Sequence, residues 1–526
     1  MHINEKGNFR SVLLTASIIA IIILSSVLFA KHFDLRTYFF NLFFNDVYEV
    51  QKASKNLPIS RESLESLEVA EIDELRQMLQ DEQFDQLNSV LEEYQNIFEK
   101  NQTDEYKVYD AYRTFDFTVA SFEDLFKKWI DTSPDKYQPY LAIAQFYYAK
   151  GWESRGYKWK KDTSEKQFEE MGLFFEKAED NLNIALEINP NLMIAYNTLI
   201  GIYNANGNDE SEDRIIAKTF ELFPHSFLIK STISWAKEPR WGGSYKQMEN
   251  LAKNFEKFSD KNPKIPVLYG FIYYDQARNF KRNKKHEKAL ELFNKALNFG
   301  DHWSFYNERA KIYHYDLKSY DQALEDAHRS IELRSPLHEN YLMRSRIYYA
   351  KMDYAESIND LQTAEMIKPG NPEVQRWKKW ASDNMMKRGH QVFKSDLREA
   401  VKYYNISLEF DDNNFQTYYW RGRAFVGLKD FESALSDFQI AIEINPQHFE
   451  SYSMIDYIYS QEQQWDNIIN YWDKFIELEP DHAGAYFERS GSHYHNKDME
   501  SAISDLKKAC ELGNKKACKK YNMLKK

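Results

Sequence analysis

The chain has 526 residues, and 81 acidic against 69 basic side chains leave it a net charge of −12. No general basic field is present to attract nucleic acid. Gly and Pro are sparse, at 17 and 13, while Tyr and Phe each number 36, which excludes a long low-complexity chain and fits short helices wedged by aromatics.

Residues 1–11 are polar and include Lys6 and Arg10. Val12–Ala30 then carries no charge; as a helix it spans roughly 28 Å, about the hydrocarbon thickness of a bilayer. The run closes on Leu28-Phe29-Ala30, a poor match to small-x-small cleavage, so an uncleaved single-pass transmembrane anchor over 1–31 is expected. Lys31 and Arg36 balance the two charges before the run, so the basic residues do not set its orientation. The short leader favours an inside N-terminus, which in a bacterium means an inner-membrane protein with a periplasmic body. Residues 32–60 are a juxtamembrane stretch in which Phe39, Phe40, Phe43 and Phe44 suit either the membrane surface or the first soluble helix.

From residue 61 to about 100 the chain reads as helix, with Leu67, Leu75, Leu79, Leu87, Leu91 and Phe98 at helical spacing. A second pair spans about 104–131. Three stretches stand out: DEYKVYDAYRTF from Asp104, YAKGWESRG from Tyr148 and EPRWGGSY from Glu238. Over about 65–255 they resemble a bacterial domain family of unknown function that often precedes helical repeats. The resemblance brings no activity with it. Residues 61–262 are therefore read as a helical base domain containing degenerate helix pairs.

The period is clearest at 415–448, FQTYYWRGRAFVGLKDFESALSDFQIAIEINPQH. Tyr418, Gly422 and Phe425 precede a break at Leu428-Lys429-Asp430. Ala434, Phe438, Ala441 and Pro446 follow it. Two amphipathic helices this short cannot bury their apolar faces alone and must stack. This pattern resembles the tetratricopeptide repeat (TPR) family. Units follow at 263–302, 303–337 (one residue longer), 338–371, a stretched 372–414, and then 415–448, 449–482 and 483–516, with 517–526 as a polar cap. The fold class is all-α: a right-handed α-solenoid of TPR-like helix pairs behind an N-terminal transmembrane helix. The ending, ACELGNKKAC, resembles Sel1-like relatives, some of which pair cysteines at this spacing. A Cys510–Cys518 disulfide is one reading, and two small buried residues at the last helix contact is the other.

One covariation fixes the register. Arg309, Arg344, Arg421 and Arg489 share a helix-A position, and the matching helix-B position holds Asp326, Asp360, Asp437 and Asp505. Where the first is apolar, at Leu199 and Ile455, the second is uncharged too, at Ile215 and Tyr471. The two positions are expected to meet as a structural ion pair, for which losing one partner costs more than replacing both.

The TPR resemblance further implies a concave peptide groove on helix A. It places Asn307, Lys311, His314, Arg346, Tyr349, Tyr419, Arg423, Tyr457, Phe487 and Tyr494 there, a mixture of aromatic and basic groups suited to an extended or acidic peptide. The plainer reading is a solvated face with incidental Tyr. A second candidate is the pair of turns holding Trp152, Arg155 and Trp159, and Arg240, Trp241, Gly242 and Gly243. Exposed Trp and Arg are common interface anchors, and the turns would form one pocket if they share an edge. Alternatively each Trp fills a gap between irregular units. No HExxH, CxxC, GxSxG or phosphate-loop motif is present, so no metal, cofactor or catalytic set is assigned. The expected function is a membrane-tethered, non-enzymatic scaffold for a protein or peptide, without nucleic acid. The alternative is a cell-envelope enzyme acting at the Trp/Arg turns.

Overall fold

The computed structural model describes residues 67–116, 119–156 and 162–525. The expected anchor Val12–Ala30 and the juxtamembrane aromatics lie outside the described residues. Among the described residues every regular element is helical, and no helix is long and apolar enough to cross a membrane. Residues 64–526 form one compact unit.

Four helices lead in: α1 (Val69–Gln80), α2 (Phe84–Lys100), α3 (Glu105–Arg113) and α4 (Phe122–Thr132). Helix pairs then follow: α5 (Tyr137–Arg155) with α6 (Glu165–Ile188), α7 (Met193–Asn206) with α8 (Asp209–Leu222), α9 (Phe227–Ala236) with α10 (Tyr245–Phe255), and α11 (Val267–Arg282) with α12 (His286–Leu297). The regular array continues with α13 (Trp303–Lys311) and α14 (Tyr320–Leu333), α15 (His338–Lys351) and α16 (Tyr354–Ile367), α17 (Pro372–Val392) and α18 (Leu397–Phe410), α19 (Phe415–Gly427) and α20 (Phe431–Ile444), α21 (Phe449–Gln461) and α22 (Trp465–Leu478), α23 (Ala483–His495) and α24 (Met499–Glu511), closed by α25 (Lys515–Leu524).

Five of the pairs turn on a left-handed residue at one shared position. Gly207, Met352, Lys429, Gln463 and Lys497, all at the fifteenth position of their units, have φ between 58° and 68°. Only Gly207 adopts this without steric cost, so packing of the two helices enforces the turn elsewhere. The close approach of helix A to helix B needs a missing side chain at Gly422, where a Cβ would stand 2.8 Å from the Phe438 ring. Phe438 is fully buried, worth roughly 1.5–3 kcal/mol of transfer free energy. The extra residue of the 303–337 unit is absorbed as a wide π-type turn over Ile312–Leu317, directly after α13. The extra length of 372–414 goes largely into α17, which has 21 residues.

The covarying positions meet as expected. Arg421 Nε and Nη2 donate to Asp437 Oδ2 and Oδ1 at 2.9 and 2.7 Å, and Arg309–Asp326, Arg344–Asp360 and Arg489–Asp505 repeat this fork. The spacing is 16 residues in three pairs and 17 in Arg309–Asp326, because the π-type turn falls between the partners. The third arm of each guanidinium reaches back to the preceding helix B, at Asn294, His328, Asn405 or Asp473. Planar bidentate geometry of this kind is specific to arginine.

The lead-in helices do something the repeat period does not reveal. They run across the connections that follow α6, α8, α10, α14 and α16. Gln95 donates to Asn191 O and Gln102 to Leu222 O, while His225 N–H donates to Gln102. Glu105 caps α9 by accepting from Ser226 Oγ and from the N–H groups of Phe227 and Leu228. Further along, Tyr106 lies under both Lys264 and Arg334, each 4.5 Å from its ring centre. Arg334 donates to Asp110, and Lys368 pairs with Asp116 at 3.3 Å. Finally Arg76 of α1 donates to the carbonyls of Met366 and Ile367 at the end of α16. The pairs from α5 to α16 thus curl around α2 and α3 until the end of α16 meets α1.

Candidate functional site

This wrapping divides the helix-A faces into two kinds. In α7, residues 193–196, 198–200, 202 and 203 are all buried, leaving a half-buried stripe at 197, 201 and 204, and α9 and α15 are nearly as enclosed. In α19 only Thr417, Gly422 and Ala424 are buried, and in α23 only Ala485, Ser490 and Ser492. The accessible helix-A surface therefore lies from α17 onward.

The ten expected groove residues sort along this line. Tyr457 and Tyr494 are 44% and 51% exposed. Arg423 is half-buried, its guanidinium 4.5 Å above the Trp420 ring and 5.8 Å from Phe393. Tyr419 is half-buried beside Phe438 and His448. Lys311 is paired with Glu308 at 2.6 Å, and Arg346 with Glu373 at 2.9 Å while lying over Trp377.

Four residues correct the expectation. Asn307 is buried and donates to Asn340 of the next helix A. His314 is buried against Tyr315 and Tyr320 inside its own unit, and burial holds its imidazole down to about 4. Tyr349 is buried among Trp377, Trp380, Tyr354 and Phe410. Phe487 is half-buried, packed against the last cluster and overlain by Lys520 of α25. In each case a neighbouring or capping helix takes the face that a lone unit would leave to ligand.

Reading by period missed Trp377 and Trp380. Their rings stack at 4.8 Å, and Trp380 is 49% exposed. They sit in the stretched unit, where the 34-residue register does not apply. The signal was WKKW at 377–380, two indoles at i and i+3 on one helix face. Aromatic groups recur on the later A helices, Trp420 with the cation of Arg423 stacked on it, then the exposed Tyr457 and Tyr494.

The two Trp/Arg turns do converge. Trp152 and Trp241 meet edge to face at 6.3 Å, although 89 residues separate them (241 − 152 = 89). Trp159 lies outside the described residues. Gly243 is obligatory, since a Cβ there would stand 2.1 Å from Lys237 O, and Gly242 has φ 96°. The indole faces are taken by the turns' own cations, Arg155 over Trp152 at 5.8 Å and Arg240 over Trp241 at 5.4 Å. Trp152 also packs on Tyr148 and Phe175. Arg240 pairs with the buried Glu238, whose carboxyl is pushed up by burial. The cluster largely satisfies itself, as a packing plug does. At the C-terminus Cys510 and Cys518 are bonded, with Cα atoms 4.6 Å apart. Among the described residues no group of three His, Cys, Asp or Glu is arranged to hold a metal ion.

Comparison with known proteins fits this architecture. Residues 71–208 match a family described as a domain of unknown function (DUF4034), and residues 415–448 and 462–517 match two families described as tetratricopeptide repeat. No curated protein matches. Similar solved structures include MamA from Desulfovibrio magneticus (19% identity, 28% of this chain and 83% of that one, TM-score 0.25). Another is the C-terminal part of a TPR repeat-containing protein from Cytophaga hutchinsonii (21%, 47% and 98%, 0.24). A third is the TPR2AB domain of yeast Sti1 in its pHSP90 complex (17%, 44% and 98%, 0.21). The chain thus carries tetratricopeptide repeats over 415–448 and 462–517, behind a DUF4034 domain over 71–208.

Proposed function

We propose that this protein is a non-catalytic scaffold, tethered to a membrane through Val12–Ala30, that holds a partner polypeptide on the open helix-A face from α17 to α23. The supporting observation is the recurrence of aromatic groups: Trp380, Tyr457 and Tyr494 are exposed on three A helices of that region, and on a fourth Arg423 is stacked on Trp420. Aromatic and arginine groups in this arrangement are the usual anchors of polypeptide recognition. A tether adds effective concentration without adding contacts.

The test is a photo-crosslinking amino acid placed at Tyr457 in the native membrane. The result is compared with the same group at Gln362, an exposed position on α16 outside that region. A partner captured from Tyr457 alone, and lost on Arg423→Glu with melting temperature unchanged, supports the reading. Equal capture from both positions overturns it. Alkaline extraction of the full chain against one lacking residues 1–31 tests the tether. A second reading, an envelope enzyme, draws on Glu238: it is 1% exposed, its Oε1 has no hydrogen-bond partner, and Trp241 is close in the chain. Loss of envelope-glycan turnover in Glu238→Gln would favour that reading.

A further inference from the structure

The seam where α1 and α3 meet the connections after α14 and α16 is unlike the contacts between successive helix pairs. Neighbouring pairs join through apolar clusters. One continuous cluster unites Leu67 with Ile233, and a separate one unites Tyr341 with Phe410. Across the seam the apolar contact is slight: Val69 packs on the second cluster, Val119 comes near Gly370, and Ile72 and Ile367 line one small cleft. What crosses instead is charge. Arg334 and Asp110 are 5% and 2% exposed and bonded to each other, Lys368 and Asp116 pair at 3.3 Å, and Arg76 donates to two carbonyls. His338 and Arg113 line the same small cleft, about 10 Å³, room for about one water molecule, with Glu339 against His338 at 3.1 Å.

We propose that this seam is a reversible ionic latch, which closes the pairs α5–α16 around α2 and α3 and can release without unfolding either side. Three observations carry the proposal. The two sides keep separate apolar cores, so parting them exposes little hydrocarbon. The desolvation cost of burying the ions offsets most of their mutual attraction, which leaves the closed state a small net advantage. And Lys368 and Asp116 are 24% and 23% exposed, so water already reaches that pair. Opening leaves Arg334, His338 and Lys368 on the array edge and Asp110 and Asp116 on the base edge. The latch is independent of what the open helix-A face binds.

The test is a distance measurement by spin labels at Gln77→Cys and Gln362→Cys in the full chain, both exposed and on opposite sides of the seam. The unmodified seam should give one short population. Lys368→Glu, which sets two carboxylates against each other, should add a longer and broader population. The double exchange Lys368→Glu with Asp116→Lys should restore the short one. Helicity should stay within a few per cent throughout. Arg334→Glu serves as a second, stronger opener. An unchanged distance in both Lys368→Glu and Arg334→Glu overturns the proposal. So does loss of helicity in Lys368→Glu, because the seam would then belong to a single cooperative core.

Discussion

Helices α7 and α23 are built from the same kind of unit, yet most side chains of the first are buried and only Ala485, Ser490 and Ser492 of the second. The difference does not come from the repeat. It comes from α2 and α3, which lie across the early connections and end before the late ones. Repeat sequence therefore specifies how a pair folds, while accessibility is set by a segment outside the repeat. In the early region charge caps and closes a layered core; in the late region it stitches one unit to the next.

The comparison can be broken first at Glu105, which is fully buried and accepts from three donors. Glu105→Ala orphans those donors and should cost about 3–4 kcal/mol, read by chemical denaturation, with the early helices lost before the late ones. In the late region the fork is the target. Arg421→Leu removes the two-armed fork from Asp437, which is 3% exposed, and should cost about 2–3 kcal/mol. The double variant Arg421→Leu with Asp437→Ile, which copies Leu199 and Ile215, should cost less than about 1 kcal/mol. A double-mutant cycle decides between these outcomes.

Acid should act mainly on the early region. His302 is buried among Phe227, Phe271 and Phe305, and burial holds its imidazole down to about 3. Its folded value lies below the unfolded one, so the unfolded chain gains a proton as pH falls below about 6.5 while the folded chain does not. Stability contributed by the neutral ring is then lost progressively down to about 3, amounting to about 2 kcal/mol at pH 5 relative to pH 7. His302→Asn should flatten that part of the pH profile. The smallest effect belongs to the turns: Lys429→Val puts a β-branched residue at φ 64° and should cost about 1–2 kcal/mol, measured as a lowered melting temperature.

Much of the late region was legible because its constraints repeat. The Arg and Asp positions switch character together, which is the signature of two groups that touch. The one-residue excess at 303–337 was visible too, although not its form as a π-type turn. The groove was only partly legible. Asn307 and Tyr349 occupy ligand positions within their units, but each is spent on the next helix A, a contact that one unit's spacing cannot show. The convergence of Trp152 on Trp241 was raised by composition and settled by geometry. The seam was not legible at all: Asp110 and Arg334 stand 224 residues apart, on segments with no shared period.

The backward-reaching arm of each fork also has a mechanical meaning. Arg489 holds Asp473 of the preceding helix B at 2.6 Å, a charged link between the last two units. One unit earlier two links cross, Gln439 donating to Tyr471 at 2.8 Å and Gln447 donating to the Glu479 carboxylate. Because the Cys510–Cys518 bond fastens α25 to α24, and Arg489 is forked to Asp505 on α24, a load applied at the C-terminus is handed through one guanidinium to Asp473 on α22.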